Sequence, residues 1–382
     1  MQDKVAIINL LQNARDTNNT DIKRAIGLAY DASIRARLGK CRTLELQSVL
    51  LASQLLNSSS KNKESITQIE DCILRYNMFQ LTDEETHLFY DLLSELAFGY
   101  FSISQYQEAI STLQKALDVV NLYKLDEIRR INCFKRLGIA FTYIDKYEKS
   151  RTFLFEALAL SSKNGLEEQL HSINVNLGEN YYRSGETETA IGYYSEAESY
   201  FNRTSHPAHC VALMSLGALY FASGDHIKAE NLLLRAEEES IRRNNTTCLL
   251  RVYKNLSELY SKLQRIDEAL AKANKGLSMA VQTDNKYDQI LMLRVLGRAS
   301  FILHDFEQAH EYFTEALQLS ERLQTRNQSS ILYNDLAMVY LNQNKPHKAK
   351  IHAKIAIDEA KAISAVKLVQ EAKETLELLE TM

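Results

Sequence analysis

The stretch NLGENYYRSGETETAIGYYSEAE, residues 176–198, carries three small side chains at fixed offsets: Gly178, Ala190 twelve positions on, and Ala197 seven further. Leu177 precedes the first, Tyr181 follows it by three, and the polar triplet GET interrupts the apolar pattern. This reads as two antiparallel helices joined by a tight turn. Small residues stand where the backbones approach, because a larger side chain there would push them apart.

The same pattern occurs seven times. The first small residue is Ala97, Gly138, Gly178, Gly217, Ser257, Gly297 and Ala337, at steps of 41, 40, 39, 40, 40 and 40. The second column is Ala109, Ser150, Ala190, Ala229, Ala269, Ala309 and Ala349. The third is Ala116, Ala157, Ala197, Ala236, Gly276, Ala316 and Ala356. A Leu precedes each first-column residue, from Leu96 to Leu336, and is expected between the two helices of its unit. An aromatic follows by three in six copies (Tyr100, Phe141, Tyr181, Tyr220, Tyr260, Tyr340), and Ser300 replaces it in the other. Polar segments such as KNG (163–165), RNN (243–245) and TDN (283–285) separate the units, where Gly or Asn suits a left-handed helix end.

Composition agrees with helices. Of 382 residues, only Pro207 and Pro346 are proline and 12 are glycine, so few breakers are available for a loop-rich or β-rich fold. Apolar residues at 45% and charged residues at 25% are ordinary for a folded chain. The net charge of −4 gives no general drive towards nucleic acid or anionic membranes, and neither is expected as a partner. Cys41, Cys72, Cys133, Cys210 and Cys248 are odd in number, scattered and without a CxxC pair. That disfavours a disulfide framework or a structural zinc and fits a reducing cytoplasm. The N-terminus MQDKVAIINLLQNARD lacks the basic start and apolar core of a secretory signal, and no long apolar run could span a membrane.

The L-G/A-x-x-Y…A…A pattern resembles the tetratricopeptide repeat superfamily. Its period of about forty is similar to the long-helix subtype of Rap- and MalT-like bacterial regulators and of the repeat regions of bacterial diguanylate cyclases and histidine kinases. The resemblance is strong over residues 90–360. It implies an all-α, right-handed superhelical solenoid of antiparallel helix pairs. Residues 1–80 are expected to continue the stack as diverged helices: Ala25, Ala29 and Ala32 read as a second helix, and Ser53 with Ser65, Ile69 and Cys72 as a full repeat. Residues 81–362 hold the seven repeats. Residues 363–382 form an amphipathic helix with Val366, Val369, Leu376 and Leu379 on its stripe, either capping the array or starting a coiled coil.

No nucleotide-binding, metalloprotease or nucleophile-elbow motif occurs, so no catalytic residue, cofactor or metal ligand is assigned. The one metal-like cluster, His206, His209 and Cys210 in HPAHC, sits in a polar link where histidine is an ordinary turn residue. The functional surface is expected on the concave face, which in such superhelices is lined by the first helix of each unit. The positions around each Leu-small pair are Lys135, Arg136, Asn176, Glu179, Tyr182, Arg183, Arg251, Lys254, Asn255, Glu258, Lys262, Arg294, Arg298, Asn334 and Asp335. Basic residues recur on this face although the chain is acidic overall. Asn176 and Asn255 stand where an amide can pair with an extended main chain. Arg and Lys would attract the carboxylates of an acidic segment or a chain terminus. A heat-shock-type carboxylate clamp needs Asn directly after the small residue, where this chain has Phe98, Ile139, Glu179, Ala218, Glu258, Arg298 and Met338.

The expected function is a non-catalytic scaffold for a protein or peptide segment, a sensory or regulatory module in bacterial signalling. A homodimer is compatible with it. The alternatives are a Rap-type peptide-regulated phosphatase or response-regulator inhibitor, and the ligand-binding region of a MalT-like transcription activator. The Rap-type reading requires residues 1–80 to form a separate bundle.

Overall fold

The computed structural model describes residues 2–18, 20–59, 61–363 and 365–381. Met1, Asn19, Ser60, Ser364 and Met382, which the terminal ranges above include, lie outside the described residues. The described residues form α-helices joined by short turns, with no strand among them. None of these helices is long and apolar enough to cross a membrane. The chain divides into two compact units, residues 1–140 and 141–382.

The first unit holds α1 (Gln2–Thr17), α2 (Ile22–Leu38), α3 (Arg42–Ser58), α4 (Asn62–Ile73), α5 (Asp83–Ser102), α6 (Tyr106–Leu122) and most of α7 (Glu127–Tyr143). Its core is a chain of clusters, each drawn from consecutive helices. Ile7, Leu11, Ala32 and Ala36 join α1 to α2. Leu46, Val49, Ile66, Ile69, Leu92 and Leu96 join α3, α4 and α5. Phe89, Leu93, Ala116, Val119 and Cys133 join α5, α6 and α7. Ala25, Ala29, Ala32, Ser53, Ser65, Ile69 and Cys72 are all fully buried. Ser53, Ser65 and Cys72 therefore repeat upstream the offsets of twelve and seven. A capping box at Thr82 and Glu85 starts α5.

The second unit holds the end of α7, then α8 (Tyr147–Lys163), α9 (Glu167–Arg183), α10 (Thr187–Arg203), α11 (His209–Ala222) and α12 (His226–Arg242). They are followed by α13 (Thr246–Lys262), α14 (Ile266–Gln282), α15 (Lys286–Ile302), α16 (Phe306–Leu323), α17 (Arg326–Asn342), α18 (Pro346–Ala362) and α19 (Val366–Thr381). Odd and even helices pair as first and second members of the repeats. Two ion pairs fasten the second helices α12 and α14: Arg265–Glu230 at 3.0 Å and Lys272–Glu237 at 2.6 Å. Near the end of the chain, α19 lays Val369, Ala372, Leu376 and Leu379 against α17 and α18, while Val366 is 67% exposed. The Asp145 carboxylate, in the α7–α8 turn, accepts the Lys367 backbone N–H of the first turn of α19 at 3.2 Å.

Every residue of the three small-residue columns is buried. The glycines show why. A Cβ on Gly178 would come within 2.6 Å of the Tyr194 ring, one on Gly217 within 2.7 Å of Leu233, and one on Gly297 within 2.6 Å of the Phe313 ring. In each case the first helix receives, on bare backbone, a large side chain of the second. The third column works between units: a Cβ on Gly276 would meet Met292 of the next first helix at 2.4 Å.

The period comes from the helix ends. One residue with positive φ stands between successive helices at Ser104, Lys124, Asp145, Gly165, Gly185, Ser205, Gly224, Asn244, Gln264, Asp284, His304, Gln324 and Asn344, a spacing of about twenty. The residue after it usually donates its N–H five positions back, as Lys146 to Phe141 at 3.0 Å and Asn285 to Ala280 at 2.9 Å. The left-handed end thus occurs within repeats as well as between them, mostly without glycine. In TDN the left-handed residue is Asp284. Asn285 is instead the N-cap of α15, accepting from the Asp288 N–H, as Asn245 caps α13.

Gly178→Val is expected to lower stability by about 1–3 kcal/mol, because the Tyr194 ring must move. Gly192→Ala, on α10 with nothing within 4 Å of the added carbon, is expected to raise it by up to about 1 kcal/mol. Urea melts of both variants check the pair. Equal effects would refute the assigned contact.

Candidate partner-binding face

In the second unit the first helices approach one another directly: α11 touches α13, α13 touches α15, α15 touches α17, and α17 touches α19. Elements on the inside of a bend crowd in this way, so these helices line the inner face. Thirteen of the fifteen residues singled out as groove-facing stand on α9, α13, α15 and α17 of this unit. Lys135 and Arg136 belong to the first unit, where Arg136 donates to the Ser94 carbonyl at 3.0 Å.

On α9, Glu179 accepts from Arg183 Nε at 2.5 Å and from the Tyr194 hydroxyl at 3.2 Å. The Arg183 guanidinium lies over the Tyr143 ring, 4.5 Å from its centre. Tyr182 is 38% exposed. Burial first, then the charges of Glu179 and of Glu258 two repeats on, raise its phenol pKa, while Arg183 opposes them. Asn176 spends its amide N–H on the Ser172 carbonyl of its own helix at 2.9 Å.

On α13, Lys254 Nζ reaches Glu258 at 3.0 Å and the Asn255 amide oxygen at 3.4 Å. Burial would raise the Glu258 pKa. The Lys254 charge and hydrogen bond, with Arg298 and Arg294, outweigh it and hold the carboxyl below its ordinary value. Arg251 and Lys262 are exposed. On α15, Arg294 donates to Asp335 of α17 at 2.6 Å, and Arg298 is exposed one turn on. The Asn334 amide oxygen is buried and accepts no hydrogen bond from the described residues.

Two cavities open on this face. One of ≈ 190 Å³ is walled by Phe221, Val295 and Ile302, with Lys262 and Arg298 on its polar side. The other, of ≈ 390 Å³, is polar: Arg294, Arg298, Asn334 and Asp335 face Glu371 of α19 across it. The sequence reading omitted Tyr143, Phe221 and Glu371. Phe221 stands four residues after Gly217, as Tyr182 does after Gly178, and that register could have identified it. HPAHC forms no shared site. His206 pairs with Glu168 at 3.2 Å, His209 with Glu198 at 3.0 Å, and Cys210 is buried.

Residues 169–238 and 210–282 match the family model of the tetratricopeptide repeat. No curated protein matches by sequence. Among solved structures, a Rap protein complexed with competence and sporulation factor superposes with a TM-score of 0.64 at 15% identity, over 96% of this chain and 99% of that one. The Rap conjugation gene regulator of plasmid pLS20, in complex with the Phr* peptide, gives 0.58 at 17%, over 84% and 96%. Aspartyl phosphate phosphatase F from Bacillus subtilis gives 0.58 at 15%, over 94% and 95%. At these identities the likeness is one of fold.

Above the ordinary glutamate pKa of about 4.3 a depressed Glu258 contributes stability, and it loses that contribution as pH falls through its own lower value. Glu258→Gln is therefore expected to be less stable than the parent at neutral pH, with the gap closing in acid. Urea melts at neutral pH and near pH 3 read this, and a gap unchanged with pH would contradict it.

Proposed function

Since this is a chain of tetratricopeptide repeats, we propose that it is a non-catalytic scaffold. The second unit binds a protein or peptide segment along the inner face of α9 to α17. The observation that carries the reading is the row of polar groups on successive first helices: Glu179–Arg183, Lys254–Glu258 and Arg294–Asp335, interleaved with exposed Arg251, Lys262 and Arg298. A main chain has an N–H and a C=O to offer at every step, and the exposed cations favour an acidic occupant. Two solved neighbours of this fold carry a bound factor or peptide in their own descriptions, which supports the same use here.

The setting we favour is regulation in bacterial signalling, in the cytoplasm, where the free buried thiols Cys72, Cys133, Cys210 and Cys248 would stay reduced. The phosphatase reading is weaker. It requires residues 1–80 to form a separate bundle, and the core shared by Leu46, Ile69 and Leu92 of α3, α4 and α5 counts against that within the first unit. α19 serves as the cap of the array in this reading.

Peptides selected by display against the whole chain supply the ligand. Reversing Arg251, Lys254 and Arg298 to Glu together is expected to weaken its binding about tenfold or more in calorimetry, with helical content kept although the lost Lys254–Glu258 pair lowers the melting midpoint. Unchanged affinity would remove the groove.

A further inference from the structure

Asn245 ties together two cysteines from different repeats. Its amide N–H donates to the Cys210 sulfur at 3.4 Å, and its amide oxygen accepts the Cys248 backbone N–H at 3.0 Å. Cys210 stands in the first turn of α11 and Cys248 in the first turn of α13, two first helices that touch on the inside of the bend. The two side chains share one apolar cluster with Leu213, Val252 and Leu256, and they are hydrogen-bonded to each other. Both are buried. They are not equivalent. The Cys248 thiol donates to Cys210, which holds the Cys210 thiol below its ordinary range and pushes Cys248 up. Burial and the charge of Glu239 oppose the shift at Cys210. The positive end of α11 favours its thiolate. While protonated, Cys210 can donate to the Pro207 carbonyl at 3.5 Å. The other buried thiols contrast with this pair. Burial raises Cys72, beside Glu45, to about 12, and raises Cys133, 4.0 Å from the Tyr90 hydroxyl, to about 11.

We propose that Cys210 and Cys248 form a reversible redox pair, which hydrogen peroxide oxidises to a disulfide that staples α11 to α13. The Cys210 thiolate attacks one peroxide oxygen and the O–O bond breaks. Cys210 becomes a sulfenic acid, and the departing oxygen takes up the proton that Cys210 gave up and leaves as water. The Cys248 sulfur then displaces the sulfenic oxygen, which leaves as a second water with the Cys248 proton. Two thiols thus lose two electrons and two protons, and the peroxide takes both. Hydrogen peroxide is near water in size and reaches the buried pair when the first turn of α11 frays. Drawing the sulfurs from hydrogen-bond to covalent distance pulls α11 and α13 together at one end, where the fourth and fifth repeats meet. A reducing compartment keeps the pair open at rest and reopens it after oxidation.

Thiol mapping of the full chain tests this. Cys41→Ser removes the half-exposed thiol and leaves the four buried ones. That chain is treated with hydrogen peroxide at neutral pH, alkylated in urea and mapped by mass spectrometry without reduction. The expected product is a peptide pair linking Cys210 to Cys248, formed about tenfold or more faster than Cys72 or Cys133 is oxidised. Dithiothreitol is expected to return both thiols. With Cys248→Ser added, dimedone is expected to label Cys210 as its sulfenic acid. With Cys210→Ser added, Cys248 is expected to keep its thiol. Where either added variant does not fold, the Cys41→Ser map alone decides. Oxidation of the four thiols at one rate, no link between Cys210 and Cys248, or a link formed only in urea overturns the proposal.

Discussion

Two helices can share a repeat here because one of them offers a small side chain, or bare backbone, to the other. The Tyr194, Leu233 and Phe313 side chains rest where Gly178, Gly217 and Gly297 have no Cβ. That contact sets the distance between partners, and the left-handed residue every twenty positions sets their direction. Everything on the inner face follows from the two together. Once pairs stack at one spacing, positions just before and after each small residue fall into rows along the bend. Side chains forty residues apart in sequence become neighbours, as Arg294 and Asp335 do.

This division explains what could be read from the sequence. The small columns were legible because steric exclusion admits few residue types, and all three columns are buried. The upstream echo in Ser53, Ser65 and Cys72 was legible for the same reason. Many of the left-handed helix ends were not. Lys124, Gln264 and Gln324 have no preference for the left-handed region, and the helix-end hydrogen bonds impose it. A second regularity was present and passed over: Lys149, Lys228 and Lys348 each stand eight residues after the aromatic of their repeat and lie over it, at 4.6, 5.0 and 5.6 Å.

On the inner face the residue types and their side of the helix could be read, but not their partners. Asn176 and Asn255 were singled out for main-chain pairing, and Asn334 was not. Yet the first bonds its own helix, the second meets Lys254, and only the third keeps a buried oxygen unused. Such distinctions depend on which groups the adjacent helix supplies, and those vary from repeat to repeat. α11 shows the limit: it brings Phe221 and no charge to this row, and so creates an apolar recess among cations and carboxylates.

Asp145 accepts from Tyr147 at 2.6 Å and from the Lys367 backbone N–H at 3.2 Å, a bond that spans 222 residues. Between its two ends lie the stacked pairs from α8 to α18. Rotations of neighbouring pairs add in series, so a twist too small to notice at any one crossing arrives summed at this junction. A change in the coiling of the repeats between them would therefore be felt at this one contact.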